Sequence, residues 1–323
     1  MNYLETFSVD GVSFGVRLMD NNNENEINTF FKLFNECFGQ RPHLDKSWYN
    51  WYYCNNPNGV CNNYLLFDVD KDTLIGAYGF AKVECAIQAK KEIGVLGVNG
   101  MISKDYGKKG LFAKLMSIGL KYETANNLGF SFPNGFNQAS IKGHFNCGWT
   151  LFEDLHFYEH SSTVLPIIGN VVKELFESDL MKIKTELFNQ DSKFYFNRSV
   201  EFLKWRFFDR PHKDYVIIGN FVSDEEINGY MIIGTYVNKN QEIISQIVDY
   251  RVGNNAVLEM LINEAIIRKI NLINLIISDL SNDLSIFEKM GFNRVDECYK
   301  LLIYPNITGS LLSGGLLGDF DAV

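Results

Sequence analysis

One segment of the sequence has the composition of an anion-binding loop. Residues 99–116 read NGMISKDYGKKGLFAKLM, which predicts a strand, a short loop and the start of a long helix. Gly107 and Gly110 let the backbone approach an anion closely. The loop also carries three lysines, Lys104, Lys108 and Lys109. Because a helix start presents unpaired N–H groups and the positive end of its dipole, the segment predicts a phosphate-binding site. An ordinary strand-to-helix turn is the alternative.

A second group of side chains has the chemistry of a general base. Asp154 and His156 alternate along a predicted strand, so both project from one face of it. A neighbouring carboxylate keeps an imidazole basic, which favours proton abstraction near neutral pH. Glu84 and Glu153 are further candidates by position. The sequence alone leaves the choice among these four open.

Side chains that could contact a small-molecule substrate occur in both halves of the chain. Tyr49 and Tyr52 flank two tryptophans expected in the core, and their rings could stack on a base or sugar. Asn134 and Asn137 follow a predicted strand and could bind hydroxyl groups, with turn formation as an equal alternative. Arg206 directly follows a tryptophan expected in the core, so it could reach a phosphate or carboxylate.

Periodicity predicts the elements that position these residues. Strands are predicted at 13–19, 64–69, 74–84, 93–102, 130–132 and 149–158. Helices are predicted at 25–38, 108–126 and 137–147. This alternation of strands and helices predicts an α/β fold with a mixed sheet that contains parallel pairs.

The second half of the chain repeats landmarks of the first half at the same spacing. These are Trp48, Trp51 and Pro57 in the first half and Phe202, Trp205 and Pro211 in the second. In each half a strand, a polar turn and a second strand follow, and a later helix ends in a glycine–aromatic pair. The repeat predicts two tandem domains, at 1–160 and 196–323, joined by a connecting segment at 161–195.

Composition and charge narrow the classes of partner. The 323-residue chain carries a net charge of −9, which disfavours nucleic acid because non-specific binding there neutralises phosphates. Its six cysteines form no CxxC pair, so no structural zinc or other metal is expected. No secretion signal and no apolar run long enough for a membrane span is evident. We therefore expect a cytoplasmic monomer or homodimer without a membrane partner.

The loop and the region after it resemble the GNAT superfamily of acyl-CoA-dependent acyltransferases. The family's loop reads Arg/Gln-x-x-Gly-x-Gly/Ala, and GKKGLF at 107–112 departs from it at the first and last positions. The family also often carries Asn-x-x-Ala/Ser-Ile-x-x-Tyr-x-x-x-Gly-Phe. The matching residues here are Asn137, Ser140, Ile141, His144, Gly148 and Trp149. The resemblance covers most of 60–158, with weaker echoes over 198–303.

The resemblance implies that acyl-CoA is the co-substrate. The implied CoA-binding residues are Met101, Ile102, Ser103, Gly107, Lys108, Lys109, Gly110, Leu111 and Phe112. The Met101 N–H is expected to polarise the thioester carbonyl. His144 stands where the family often has a tyrosine that protonates the departing thiolate, and imidazole, with an ordinary pKa of about 6.5, can do the same. A histidine that merely packs is the competing interpretation.

In the second half Phe287 stands at the position of His144, and the glycine loop is replaced at 249–254. That domain is therefore expected to be degenerate and to shape the acceptor pocket. Tandem chains with W-x5-P in both halves and FPN after the fifth strand resemble nucleotide-linked amino-sugar N-acyltransferases of surface-polysaccharide (O-antigen) synthesis. This implies transfer of an acetyl or 3-hydroxybutyryl group to the amine of a dTDP-linked amino-dideoxy sugar. Acylation of another amine, such as an antibiotic, and non-catalytic acyl-CoA binding are the alternatives.

Overall fold

The computed structural model describes residues 2–41, 43–87, 90–107, 109–123, 128–161, 172–184, 187, 194–238 and 240–305. The chain forms two compact units. The first comprises Met1–Glu84, Glu92–Phe152 and Lys300–Thr308, described to residue 305. The second includes Cys85–Lys91 and Glu153–Tyr299. Much of the expected connecting segment at 161–195 lies outside the described residues.

The elements of the first half agree with the periodicity of its sequence. Its strands are β1 (Glu5–Val9), β2 (Val12–Leu18), β3 (Asn62–Asp68), β4 (Thr73–Ile87), β5 (Lys90–Ile102) and β6 (Gly129–Ser131). Its helices are α1 (Glu24–Phe38), α2 (Lys46–Tyr49), α3 (Leu111–Glu123) and α4 (Gln138–Asn146). A turn of π-helix over Asn50–Cys54 continues α2, and a 3-10 turn over Lys104–Tyr106 precedes α3.

The second half repeats this plan. Its strands are β7 (Thr150–His160), β8 (Val172–Glu174), β9 (Phe194–Phe196), β10 (Val216–Ser223), β11 (Glu226–Val237), β12 (Ile243–Val252), β13 (Ile273–Ser278) and β14 (Asn293–Tyr304). Its helices are α5 (Val200–Leu203), α6 (Asn255–Arg268) and α7 (Leu284–Lys289). A π-helical turn over Lys204–Phe208 continues α5, as another continues α2. The repeat predicted from the tryptophan spacing is confirmed in this backbone detail.

Helix α1 illustrates how local sequence sets the elements. Ile27, Phe30 and Phe34 recur at helical spacing and are buried, so one face of the helix is turned to the interior. The Asn23 side chain caps the start by accepting hydrogen bonds from two backbone N–H groups of the first turn. The helix ends at Gly39, whose φ of +83° suits glycine.

The sheet of the first unit has the strand order β1-β2-β3-β4-β5-β6-β14. Only the β5–β6 pair among the described registers of this unit is parallel. The strand beside β6 comes from the end of the chain: Leu302, Ile303 and Tyr304 pair with residues 129–131. The strand predicted at 149–158 does form, as β7, although its residues 155–160 pair with β13.

The second unit has the strand order β7-β13-β12-β11-β10-β8. Its described parallel pair is β12–β13, which corresponds to β5–β6 of the first unit. Among the described residues, no helix is both long and apolar enough to cross a membrane. In the described part of each unit, the mixed sheet contains a pair of parallel strands, and a helix connects the two strands along the chain. The sequence repeat predicted this shared plan.

Candidate functional site

Strands β5 and β6 part soon after they begin to pair. The parallel pairing covers only Val95–Gly97 with Gly129–Ser131, whereas β5 continues to Ile102. Asn99, just past the last pair, has a φ of +50°. The glycine contacts place Gly100 opposite Tyr78 and Val98 opposite Gly79, so Asn99 is an extra residue in β5. Such a bulge bends a strand, and in the described part of the sheet the β6 side of β5 has no strand partner beyond Gly97.

A cleft of about 370 Å³ opens beside this edge. The end of β5, the 3-10 turn after it and the first turns of α3 and α4 form its walls, with the end of α1. The lining residues are Cys37, Phe38, Gly100, Met101, Ile102, Tyr106, Gly107, Gly110, Leu111, Phe112, Asn137, Ala139 and Ser140. Six of the nine residues predicted to bind CoA line it. Of the other three, Lys109 is half-buried, Ser103 is buried and Lys108 lies outside the described residues.

The start of α3 has the geometry that an anion needs. The first helical hydrogen bond runs from the Lys114 N–H to the Gly110 carbonyl at 3.1 Å, so the three N–H groups of residues 111–113 precede it. Gly110 has a φ of +71°, and a Cβ there would meet nothing within 4 Å. The backbone can therefore face a ligand directly, and the donor set suits a phosphate or diphosphate.

A buried carboxylate anchors the turn that leads into this loop. The Tyr106 hydroxyl donates to Asp68 Oδ2 at 2.6 Å, and the Lys71 ammonium donates to the same hydroxyl at 3.0 Å. Tyr106 also lines the cleft, whereas Asp68 is fully buried at the end of β3. The sequence around Tyr106 predicts only a loop before a helix. A contact to a residue 38 positions earlier leaves no local signal.

The structure corrects the expectation for Met101. The Ser103 N–H donates to the Ile75 carbonyl of β4 at 2.7 Å. Backbone groups two residues apart on a strand point the same way, so the Met101 N–H is also directed at β4. The backbone groups that point away from β4 belong to Gly100 and Ile102. These two residues, rather than Met101, offer hydrogen bonds along the open edge.

The neighbouring residues agree with this alternation. The Ile102 carbonyl accepts a weak hydrogen bond from Cys37 Sγ at 3.5 Å, on the side of the cleft. The Ser103 hydroxyl donates to Glu36 Oε1 at 2.6 Å, and Ser103 does not line the cleft. Ser103 therefore fixes the end of α1 to the end of β5, in place of the CoA contact expected of it.

His144 is buried and neutral. Its Nδ1 lies 2.8 Å from the Ser140 carbonyl, which can only accept, so Nδ1 carries the hydrogen and Nε2 is an acceptor. The hydroxyls of Tyr78 and Ser131 each lie 3.0 Å from that Nε2. Burial lowers the pKa of His144 to about 4. The protonated imidazole expected from its ordinary pKa is therefore scarce near pH 7.

Two predicted substrate contacts serve local structure. Asn134 Oδ1 accepts from the Phe136 N–H at 2.9 Å, which closes a turn after β6. Asn137 Oδ1 accepts from the Ser140 N–H at 3.1 Å and so caps α4. Asn137 also lines the cleft, so it alone of this pair lies at the site.

The aromatic candidates prove to be core residues. Tyr49 is fully buried, and its hydroxyl donates to Asn21 Oδ1 at 2.6 Å. Tyr52 is buried against Trp48, with the ring centroids 5.5 Å apart and the planes nearly parallel. The expectation that either tyrosine stacks on a ligand is wrong, because both are buried, Tyr49 at the end of α2 and Tyr52 in the π-helical turn. The core packing predicted for Trp51 is confirmed, and Trp205 is buried likewise.

The remaining candidates belong to the second unit. Arg206 is buried, with its guanidinium 5.6 Å from the Phe207 ring centroid, so it does not reach a rim as expected. His156 lies 2.9 Å from an Arg294 nitrogen and 3.5 Å from a carboxylate oxygen of Asp279. Asp154 is half-buried on β7. None of the three lines the cleft of the first unit.

The second unit has a buried ion-pair network where the first has an open edge. Pairing between β12 and β13 ends at Ile247 and Leu275. Two residues farther along β12, the Asp249 carboxylate accepts from Arg198 Nε at 2.6 Å and from Arg251 Nη1 at 3.3 Å. All three side chains are at most 3% exposed. Buried charged side chains therefore lie just beyond the end of this pairing.

The helix of the second unit also lacks the polar group of the first. Phe287 of α7 stands at the position of His144 and is fully buried. Its ring lies 5.6 Å from Tyr250 and 5.3 Å from Phe292. The degenerate character expected of the second half thus has a structural basis: an ion pair and an aromatic cluster replace the open edge and the imidazole.

Solved structures share this fold at low sequence identity. The N-myristoyltransferase of Saccharomyces cerevisiae, solved with bound myristoyl-CoA, has a TM-score of 0.67 and 12% identity, over 97% of this chain and 86% of its own. A GCN5-related N-acetyltransferase from Anabaena variabilis has a TM-score of 0.68 and 10% identity, over 89% of this chain and 72% of its own. A probable N-acyltransferase from Enterococcus faecalis has a TM-score of 0.66 and 13% identity, over 90% of this chain and 72% of its own.

The chain therefore has the mixed α/β fold of the GCN5-related, or GNAT, N-acyltransferases, in the duplicated arrangement that the repeat predicted. The parted parallel strands and the helix that starts beside them form the cleft of this chain. The sequence itself matches no protein-family profile and no curated protein.

Proposed function

We propose that this protein is an acyl-CoA-dependent N-acyltransferase that holds CoA in the cleft of its first unit. One observation carries the proposal: the open edge of β5 leads directly to a helix start whose glycine, Gly110, faces open space. A linear ligand fits this arrangement if its hydrogen-bonding arm lies along the open edge of β5 and its diphosphate lies at the helix start. The yeast enzyme that shares the fold was solved with an acyl-CoA bound, which supports the same ligand class here.

The chain's own groups suggest how each part of CoA is held. The outward backbone groups of Gly100 and Ile102 pair with the amides of the pantetheine arm, as a neighbouring strand would. The N–H groups at the start of α3, with Lys109 nearby, bind the diphosphate. The Gly100 N–H, next to the bulge, is directed at the thioester carbonyl oxygen and stabilises the negative charge that develops there.

Acyl transfer then needs an amine beside the thioester. The amine nitrogen attacks the carbonyl carbon, the carbon–sulfur bond breaks, and the thiolate takes the proton that the amine releases. Positioning supplies much of the rate, since a thiolate is a good leaving group. We assign CoA binding to residues 1–160 and acceptor recognition to 196–323, because in the second unit buried charged side chains lie where the pairing of β12 with β13 ends.

For the substrate, we propose the amine of a nucleotide-linked amino-dideoxy sugar and an acetyl or 3-hydroxybutyryl donor. The W-x5-P spacing in both halves and the FPN segment at 132–134 support this. In both units a short α-helix continues into a π-helical turn. This shared backbone detail supports the view that the spacing reflects a structural repeat.

The test is CoA-thiol release measured across a matrix of acyl-CoAs and amines. We expect saturable release with a short-chain acyl-CoA and a dTDP-linked amino sugar. Release with an aminoglycoside but with no sugar nucleotide would keep the enzyme class and overturn the acceptor. CoA binding without release for any pair would favour a non-catalytic acyl-CoA-binding protein.

A further inference from the structure

The ring of Phe112 fills the space between β5 and helix α4. Phe112 lies in the first turn of α3, is half-buried and lines the cleft. Two glycines make room for it: a Cβ at Gly100 would lie 2.8 Å from the ring, and a Cβ at Gly143 would lie 2.7 Å from it. Atoms at such distances overlap, so the ring takes the space that a side chain at either position would need.

Two further rings hold Phe112 in this position. Its centroid lies 5.7 Å from that of Tyr78 on β4 and 5.8 Å from that of His144 on α4, with angles of 65° and 62° between the ring planes. Such edge-to-face contacts between rings are favourable. The polar atoms of these two neighbours are engaged with each other, since the Tyr78 hydroxyl lies 3.0 Å from His144 Nε2. The surface behind Phe112 is therefore made mainly of ring carbons.

Phe112 closes the cleft next to the place proposed for the thioester. The Gly100 N–H is proposed to hold the thioester carbonyl oxygen, and the Phe112 ring lies against the same residue. Side chains stand out of a sheet, whereas the backbone N–H groups lie in it, so the ring covers Gly100 from the side of α3. An acyl chain that continues from the thioester toward α3 and α4 therefore meets this ring first.

We propose that Phe112 sets the length limit for the acyl group: its ring ends the acyl pocket, so that chains longer than a butyryl group do not fit. This inference rests on the proposed function, because it places the acyl end of CoA beside Gly100. Cavities left by the removal of one apolar side chain can hold a molecule of the size of benzene. Removal of the Phe112 ring therefore opens an apolar pocket with room for further methylene groups.

The first test measures the affinities of acetyl-, butyryl-, hexanoyl- and octanoyl-CoA by calorimetry, which needs no acceptor amine. The wild type should bind hexanoyl-CoA at least about tenfold more weakly than butyryl-CoA, because a filled pocket rejects added methylene groups. Phe112→Ala should bring the Kd of hexanoyl-CoA to that of butyryl-CoA or below. Phe112→Leu keeps more of the packing and should give a smaller change in the same direction. A wild type without this preference, or variants that keep it, would overturn the proposal.

The second test acts on the same ring from the side of α4. In Gly143→Ala the added Cβ would lie 2.7 Å from the Phe112 ring, so the ring must shift toward Gly100 and narrow the space beside the thioester. Butyryl-CoA should then lose at least about tenfold in affinity relative to acetyl-CoA. Adding Phe112→Leu to Gly143→Ala should restore the ratio, because the crowding needs both side chains. An unchanged ratio in Gly143→Ala would contradict the assignment.

Phe38→Ala is the matched control. Phe38, at the end of α1, is the other phenylalanine that lines this cleft, and it is 41% exposed. Its removal takes the same ring from another wall and should not raise the affinity for hexanoyl-CoA relative to butyryl-CoA. If Phe38→Ala raises that ratio and Phe112→Ala does not, the acyl chain runs toward α1 and the proposal is wrong.

These outcomes separate the inference from the proposed function. If the wild-type protein binds none of the acyl-CoAs, both fail. If it binds them with the expected preference but releases thiol with no amine, the length limit stands for a binding protein and the transferase function fails. If it releases thiol and the Phe112 variants keep the wild-type preference, the function stands and the inference fails.

Discussion

Replacement of Gly110 by glutamate is expected to lower the CoA affinity of the protein at least about 100-fold, which corresponds to about 2.7 kcal/mol. Gly110 has a φ of +71° and faces the open space of the cleft. A glutamate there strains the backbone and places a carboxylate beside the diphosphate that the start of α3 is proposed to bind. Isothermal titration with CoA measures the change directly.

A matched control separates backbone strain from charge at the site. Gly11, in the β1–β2 turn, has a φ of +77°, has no atom within 4 Å of a built Cβ and does not line the cleft. Gly11→Glu should therefore leave CoA affinity unchanged while it strains the backbone similarly. If Gly110→Glu binds CoA as the wild type does, the diphosphate does not lie at this helix start.

Replacement of Asp249 by alanine is expected to destabilise the second unit by about 3–5 kcal/mol. Asp249 is fully buried and accepts hydrogen bonds from the guanidinium groups of Arg198 and Arg251, which are also buried. Removal of the carboxylate takes away the charged partner of two guanidinium groups that stay buried in the interior. Urea unfolding, followed by tryptophan fluorescence, gives the change in the free energy of unfolding.

The control for this variant is an exposed aspartate of the same unit. Asp209 contacts Lys204 at 3.0 Å with both side chains more than 40% exposed, so Asp209→Ala should cost no more than about 1 kcal/mol. The network lies in the second unit, so the CoA affinity of Asp249→Ala should stay unchanged at temperatures where the variant is folded. A cost below about 1 kcal/mol would show that the buried arginines do not depend on this carboxylate.

Local patterns predicted the parts of the structure that depend on nearby residues. The apolar spacing of Ile27, Phe30 and Phe34 is enough to define α1, because helix formation and burial of one face need only that period. The loop around Gly110 could be singled out because glycines and lysines directly before a long helix suit an anion. The repeat was readable because Trp51 and Trp205 occupy the same π-helical turn in both units.

Contacts between distant residues were not predictable from one sequence. The pairing of β14 with β6 joins residues more than 170 positions apart, and no local pattern encodes which strand lies beside another. The direction of the Met101 N–H depends on one extra residue, Asn99, in the register with β4. Periodicity treats a strand as regular, so it misses a one-residue shift that exchanges inward and outward backbone groups.

Some side chains that were predicted to contact ligands are buried instead, and this too could not be predicted from the sequence. Tyr52 and Arg206 have side chains suited to ligands, yet both lie in π-helical turns that direct them inward. A π-helical turn changes the angle between successive side chains, so the helical spacing used to place them on an outer face did not apply. The contact between the Tyr78 hydroxyl and His144 Nε2 was not predicted because the two residues are 66 positions apart.

The stoichiometry of CoA binding tests the central claim most directly. Calorimetric titration of the wild-type protein with CoA should show one site per chain, because α3 of the first unit starts directly after Gly110 beside the open edge of β5, whereas the Asn254 side chain caps the start of α6 in the second unit. In the second unit the corresponding position holds Asp249 with Arg198 and Arg251. A single site that Gly110→Glu removes is the predicted result. Two sites per chain, or none, would contradict the account.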